Sequence, residues 1–406
     1  AAAAVGVSHL VQSTRAGAMA GFGLAGIVLI ALILKYPFFE FGPRYAAATG
    51  LSLVEGYRKV GRWALWLYLA ITLSTSLVVQ VAVVLFTSFL IKLAFGLEWA
   101  VPVVAAVLCA VCAGILAAGR FAVLDRVVKV IMALLAASTL IAASMTLGRA
   151  DFGTLRMWPA GTFDNAASLA FVLALVGWMP SAIDISVWSS LWTLAKDRTT
   201  GERASAAPVL LDFRIGYIGT GVLAFAFLTL GATVMFGSGH QFSPRGTEFS
   251  AQLIGLYTET LGAWTRPIVF TAILTTMFST TLTVIDGFPR AIDRGLRVAF
   301  VDPDGTSGYA GIGRAYWSAV AVLCLLTVLV LAVFPGSLTT MVDFATIVSF
   351  LTAPILGYLN LRAVTSPTVP AEQRPGRSLR VLSWTGLIVL GGFAVVYVVG
   401  RLTAGY

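Results

Sequence analysis

Two short stretches hold the polar side chains that could grip a small ligand. Near the beginning of the chain, Gly6, Val7, Ser8 and His9 are followed by Gln12, Ser13, Thr14 and Arg15 in an otherwise apolar run. Further on, the run SLAFVLALVGWMPSAIDISVWSSLWTL, residues 168–194, is interrupted by Gly177, Met179, Pro180, Ser181 and Asp184. Hydroxyls, an amide and an imidazole are donors that suit an anion. A metal set drawn from the same residues would be His9, Met179 and Asp184, with a single carboxylate to balance a divalent charge.

The elements that carry these residues are membrane spans. With 58% hydrophobic and 11% charged residues and a mean hydropathy of +0.91, the chain falls in the class of multi-pass membrane proteins with a lipid bilayer as its surroundings. Apolar runs matched to a length of about 20 residues give an all-α fold of about eleven transmembrane helices. The expected order is 1–18, 22–39, 63–95, 100–118, 127–145, 168–194, 216–236, 267–285, 315–334, 342–361 and 381–400. The 406 residues are expected to form one transport domain. Its first repeat spans 1–148, its second 165–362, and an extra C-terminal span 379–403. The apolar start has neither a basic leader nor an A-x-A site, so the first span is expected to stay in the mature chain.

The first and sixth runs occupy corresponding places in the two repeats, and both are broken. In hydrocarbon a freed backbone group needs a partner, so breaks survive only where they are buried or line a hydrated cavity. Paired interruptions at corresponding positions mark a substrate site at the midplane. A charge at such a depth costs about 2.5–3.5 kcal/mol on insertion scales, so Arg15 and Asp184 are expected to pair with each other or to serve a coupling ion. Alternate loops are rich in Arg and Lys, with Lys35, Arg44, Arg58 and Lys59 in one and Arg290, Arg294 and Arg297 in another. That pattern places the N-terminus in the cytoplasm and the chain in a bacterial inner (plasma) membrane, and it accounts for most of the formal net charge of +9.

The positive charge lies on no soluble aromatic-rich segment, which excludes a nucleic-acid partner. The chain contains no HExxH, no P-loop and only two His, His9 and His240, so neither an enzyme nor an ATP-driven pump is expected. His240 reads as a solvated loop residue. Cys109, Cys112 and Cys324 lie inside apolar runs and read as structural thiols. Asp286 and Asp343 lie near span ends, where pairing with an Arg such as Arg290 is the expected role.

The run LKYPFFEFGPRYAAATGLSLVEGYRKVGRWALW, residues 34–66, the Met179-Pro180 break and the run TLTVIDGFPR, residues 281–290, resemble bacterial NRAMP-type (natural resistance-associated macrophage protein) transporters. The resemblance implies the LeuT-type inverted repeat, helices 1 and 6 unwound at the midplane, alternating access, and substrate bound between the two breaks. It also implies losses. Where the family's metal transporters carry Asp-Pro-Gly-Asn, this chain has Gly6, Val7, Ser8 and His9. The His of Met-Pro-His is Ser181, a second family His is Ser186, and the acidic positions on the third span are Gln80 and Val83.

The expected substrate site is therefore Gly6, Val7, Ser8, His9, Gln12, Met179, Pro180 and Ser181, with Arg15, Asp184, Ser186 and Gln80 as coupling or ion-pair residues. Thr275, Thr276, Ser279 and Thr280 could line a polar path beside it. With the acids gone, the expected substrate is a small inorganic anion such as bicarbonate. The alternative is proton-coupled Mn²⁺ or Fe²⁺ uptake. No cofactor is expected, and the coupling ion would be Na⁺ or H⁺.

Overall fold

A computed structural model describes residues 5–119, 121–155, 166–201, 205–239, 241–301, 313–334 and 337–404. Among these residues the chain is helical and contains no strand. A bend at Val5 and Gly6 leads into a π-helix, Ser8–Ser13, and α1, Thr14–Ala20. Then come α2 (Ala25–Thr49), the short α3 (Leu53–Val60), α4 (Arg62–Phe95), α5 (Val101–Ala117) and α6 (Phe121–Thr146). The sixth span is α7 (Ala166–Gly177) and α8 (Asp184–Thr200), which are separate helices. After it run α9 (Ala206–Leu230), ending in a π-turn at Gly231–Met235, α10 (Gly246–Leu261), α11 (Arg266–Phe300), α12 (Arg314–Val333), α13 (Leu338–Val364) and α14 (Arg377–Ala404).

Eight of these helices, α2, α4, α6, α9 and α11 to α14, are long and apolar enough to cross a membrane alone. The first span, the shorter α5 and the α7/α8 pair complete the eleven expected, while α3 and α10 are connectors. Residues 1–4 of the first span lie outside the described residues, as does His240.

Two helices run further than expected, and that changes the surroundings of several charges. α2 continues through Pro37 and Pro43 to Thr49, where the sequence places a loop after Phe39. Proline removes a helical hydrogen bond, and in membranes neighbouring helices make up the loss. One residue before the Phe39 carbonyl that Pro43 leaves free, Asn360 of α13 donates to the Phe38 carbonyl at 3.0 Å and ties the two helices together. Lys35 and Arg44 are therefore helical, and Lys35 is buried inside the span rather than in a loop.

α11 likewise runs past residue 285, carrying Arg290, Arg294 and Arg297 with it. Each arginine finds an acid at this end. Arg290 pairs with Asp286 at 2.7 Å, as expected, and Arg297 with Asp293 at 3.0 Å. Arg294 pairs directly with Glu55, which also closes a capping box with Ser52 at the start of α3. Tyr316 adds a hydrogen bond to Asp286 at 2.8 Å, tying α12 to α11. Cys109 and Cys112 are buried free thiols on α5.

Candidate functional site

The break in the sixth span is built by Gly177 and Pro180. A Cβ on Gly177 would lie 2.0 Å from the Thr346 carbonyl of α13, so only glycine permits that helix crossing. Trp178 then donates its indole N–H to Ser349 Oγ on the same helix at 2.8 Å. Pro180 has no N–H to offer and disfavours a helical residue before it, so regular structure resumes only at Asp184. Ser8 Oγ of the first span bonds the Pro180 carbonyl at 3.0 Å, which joins the two interrupted spans directly.

Around this junction lies a cavity of about 40 Å³. A water needs some 10–15 Å³ measured in this way, so the space holds about three waters or one small ion. Gly6, Val7 and Ser8 form one wall, and Val79 and Val83 of α4 another. Trp178, Ser181, Ala182, Ile185 and Trp188 come from the broken span, and Thr280, Val284 and Phe288 from α11. Among the described residues, no acidic, imidazole or thiol side chain lines it. The Trp188 indole N–H is buried without an acceptor among the described residues. Trp188 also packs edge-to-face on Phe288 with ring centroids 4.7 Å apart.

Of the eight residues expected to bind substrate, Gly6, Val7, Ser8 and Ser181 line the cavity, and Pro180 stands behind it through its carbonyl. The other three are elsewhere. His9 faces α9, with Nε2 2.9 Å from the Thr220 carbonyl and Nδ1 2.9 Å from Ser8 Oγ. Met179 packs in a separate apolar cluster with Ala16, Phe22 and Leu228. Gln12 reaches outward, donating to Asp343 at 2.9 Å and to Thr346 at 3.3 Å. His9 lies against α9, Met179 packs in the apolar cluster and Asp184 stands beside Thr75, so the three expected ligands have separate surroundings.

The charged residues are also paired differently from expectation. Arg15 forms a two-pronged ion pair with Asp343 of α13, Nη1–Oδ1 at 2.6 Å and Nη2–Oδ2 at 3.0 Å. Its partner is thus not Asp184. Asp184 is buried beside Thr75, whose hydroxyl donates to Oδ1 at 3.3 Å. Ser186 accepts from Asn360 at 2.8 Å, and Gln80 donates to Thr327 at 3.1 Å; neither lines the cavity. Of the polar path on α11, Thr280 reaches the cavity wall while the Thr276 hydroxyl is buried without a partner among the described residues.

Lys35 and the aromatic walls were not singled out by sequence. Lys35 sits in an apolar run, GIVLIALILKYPFF, and a charge so placed is a functional signal in a membrane protein. Its ammonium lies 3.0 Å from the Val176 carbonyl and 2.9 Å from those of Gly177 and Ser181, at the break itself. The tryptophans carry no such signal, since aromatic residues are common in any apolar span.

Comparisons with known proteins agree with this architecture. The family model described as natural resistance-associated macrophage protein-like matches residues 1–400. The uncharacterized protein PM0681 of Pasteurella multocida (strain Pm70) is 33% identical over 406 residues, covering 98% of this chain and 90% of that protein. A manganese transporter from Eremococcus coleocola, solved in complex with an aromatic bis-isothiourea substituted compound, superposes with a TM-score of 0.75 at 14% identity, over 99% of this chain and 86% of that one. MhsT in complex with L-phenylalanine superposes with a TM-score of 0.58 at 12% identity, over 98% and 96%. The fold is the LeuT-type inverted repeat. The chain therefore belongs to the natural resistance-associated macrophage protein-like family and is a multi-pass membrane transporter, not an enzyme.

Proposed function

We propose that this chain is a secondary transporter working by alternating access whose cargo is a small inorganic anion, with bicarbonate the first candidate. The observation that carries this reading is the lining of the cavity. Its walls carry the Ser8, Ser181 and Thr280 residues with their hydroxyls and two indole residues, Trp178 and Trp188; the Trp188 indole N–H, which can only donate, has no acceptor among the described residues. A buried donor without a partner costs about 1–3 kcal/mol, which a bound anion would relieve and a metal cation would not. The Lys35 ammonium behind Ser181 adds positive potential to the same place. A cavity of about 40 Å³ favours an ion of a few atoms over an organic solute. The basic loop ends support a cytoplasmic N-terminus in a bacterial inner membrane.

The test is uptake of radiolabelled bicarbonate into proteoliposomes. Saturable uptake above protein-free vesicles is expected, and uptake no greater than in empty vesicles would remove bicarbonate as the cargo. Trp188→Phe is expected to lower that uptake about tenfold, the loss of one hydrogen bond to a charged group, while thermal stability stays equal or rises. Unchanged uptake in this variant would show that the indole does not touch the cargo.

Divalent metal transport is the second reading, favoured by the manganese transporter among the similar structures. Under the anion reading, calorimetric titration with Mn²⁺ yields no saturable heat. Micromolar binding that disappears in Met179→Ala would reverse the preference.

A further inference from the structure

Lys35 stands where broken membrane helices usually bind a cation. Its Nζ has three protons, and three backbone carbonyls, of Val176, Gly177 and Ser181, accept them at 2.9–3.0 Å. Two of these are the closing carbonyls of α7, the negative end of a half-helix, and the third lies within the break. The side chain is buried, with 1% exposure. Asp184, the first residue of α8, acts on the same charge electrostatically, and its Oδ2 has no hydrogen-bond partner among the described residues. Unwound carbonyls at a half-helix C-terminus with a carboxylate nearby are also what a coupling Na⁺ requires in transporters of this architecture.

We propose that Lys35 is a tethered cation occupying an alkali-ion site at the sixth-span break, so that the chain works without a coupling Na⁺ there and becomes a binder of alkali ions once the side chain is removed. The inference rests on the transporter reading but not on the identity of the cargo. A lysine kept only for packing would leave behind a gap with no ion preference. A tethered cation leaves three oriented carbonyls and Asp184, which still call for positive charge.

The probes are the alkali ions alone. The purified full chain is melted in choline, Na⁺, Li⁺ and K⁺ chlorides at one ionic strength. Wild type is expected to melt at the same temperature in all four. Lys35→Ala should melt lower in choline and recover saturably, by about 3 °C or more, with at least one alkali ion. Lys35→Met, whose stem fills the space without a charge, should not recover. A saturable alkali effect on wild type overturns the proposal, as does a Lys35→Ala protein indifferent to all three ions. If Lys35→Ala does not survive extraction in choline, its yield in each salt is the readout: rescue by one alkali ion supports the proposal, and equal loss in all of them overturns it. Bicarbonate uptake does not enter this test, so it stands or falls apart from the anion reading.

Discussion

Gly17→Ala is expected to leave no stably folded protein. In detergent, the monodisperse peak on size exclusion should be lost or the melting temperature should fall steeply. A Cβ at Gly17 of α1 would lie 2.0 Å from the Leu228 carbonyl and 2.7 Å from the Ala232 amide. The contact is reciprocal, since a Cβ at Gly231 would lie 2.1 Å from the Thr14 carbonyl. Overpacking a core costs about 1–3 kcal/mol where side chains can give way. Here both collisions are with backbone, so more than about 3 kcal/mol is expected. Without a hydrophobic force between helices in lipid, association depends on close approach through small residues. Gly219→Ala is the control, because open space surrounds that position on α9 and alanine is the better helix former. A Gly17→Ala protein that melts with wild type would dispose of the close-contact account. The crossing matters for the site because it also holds the Thr220 carbonyl against His9 and so fixes the π-helical turn that presents Ser8.

The same crossing shows how far sequence reaches and where it stops. Span number, the sixth-span break and the likeness to the transporter family follow from local signals. A 20-residue apolar length, a Gly and a Pro in mid-membrane, and an Asp one turn later can all be read one segment at a time. What converges on the break cannot be read in this way, because it depends on which face each helix turns inward. His9 and Met179 are near the breaks in sequence yet point to α9 and to a separate apolar cluster. Val79 and Val284 look like ordinary span residues, Phe288 lies beyond the expected end of its span, and all three line the cavity. Lys35 reads as one of the charges of the basic loop after the second span, but α2 continues through Pro37 and Pro43 and keeps it inside the helix. The expectation for Arg15 is a pair with Asp184 or a role with a coupling ion, whereas its partner is 328 residues away on α13. Ion-pair partners are set by packing, and local spacing carries no record of them.

Asp343→Asn is expected to open the cavity. Arg15 lies seven residues beyond Ser8, about 10 Å further along the helix, so its pair with Asp343 closes one route to the cavity. Gln12 reinforces the closure by donating to Asp343 at 2.9 Å and accepting from Arg15 at 3.0 Å. The guanidinium also rests on Phe171 of α7, 4.9 Å from the ring centroid. One cluster thus ties α1, α7 and α13 together, and a substrate entering from that side must part it. Both partners keep some solvent contact, 12% for Arg15 and 28% for Asp343, so the pair is worth less than a fully buried one. Two parallel charged hydrogen bonds still place it at about 1.4 kcal/mol, a tenfold shift between closed and open populations. With the native cysteines replaced and Ser181→Cys as the reporter on the cavity wall, Asp343→Asn should raise the rate of maleimide labelling about tenfold, and Arg15→Ala by a similar factor. The double variant should add little to either single one, because the two residues form a single interaction. Labelling at an unchanged rate in both single variants would mean that the pair is scaffolding and that access to the cavity is controlled elsewhere.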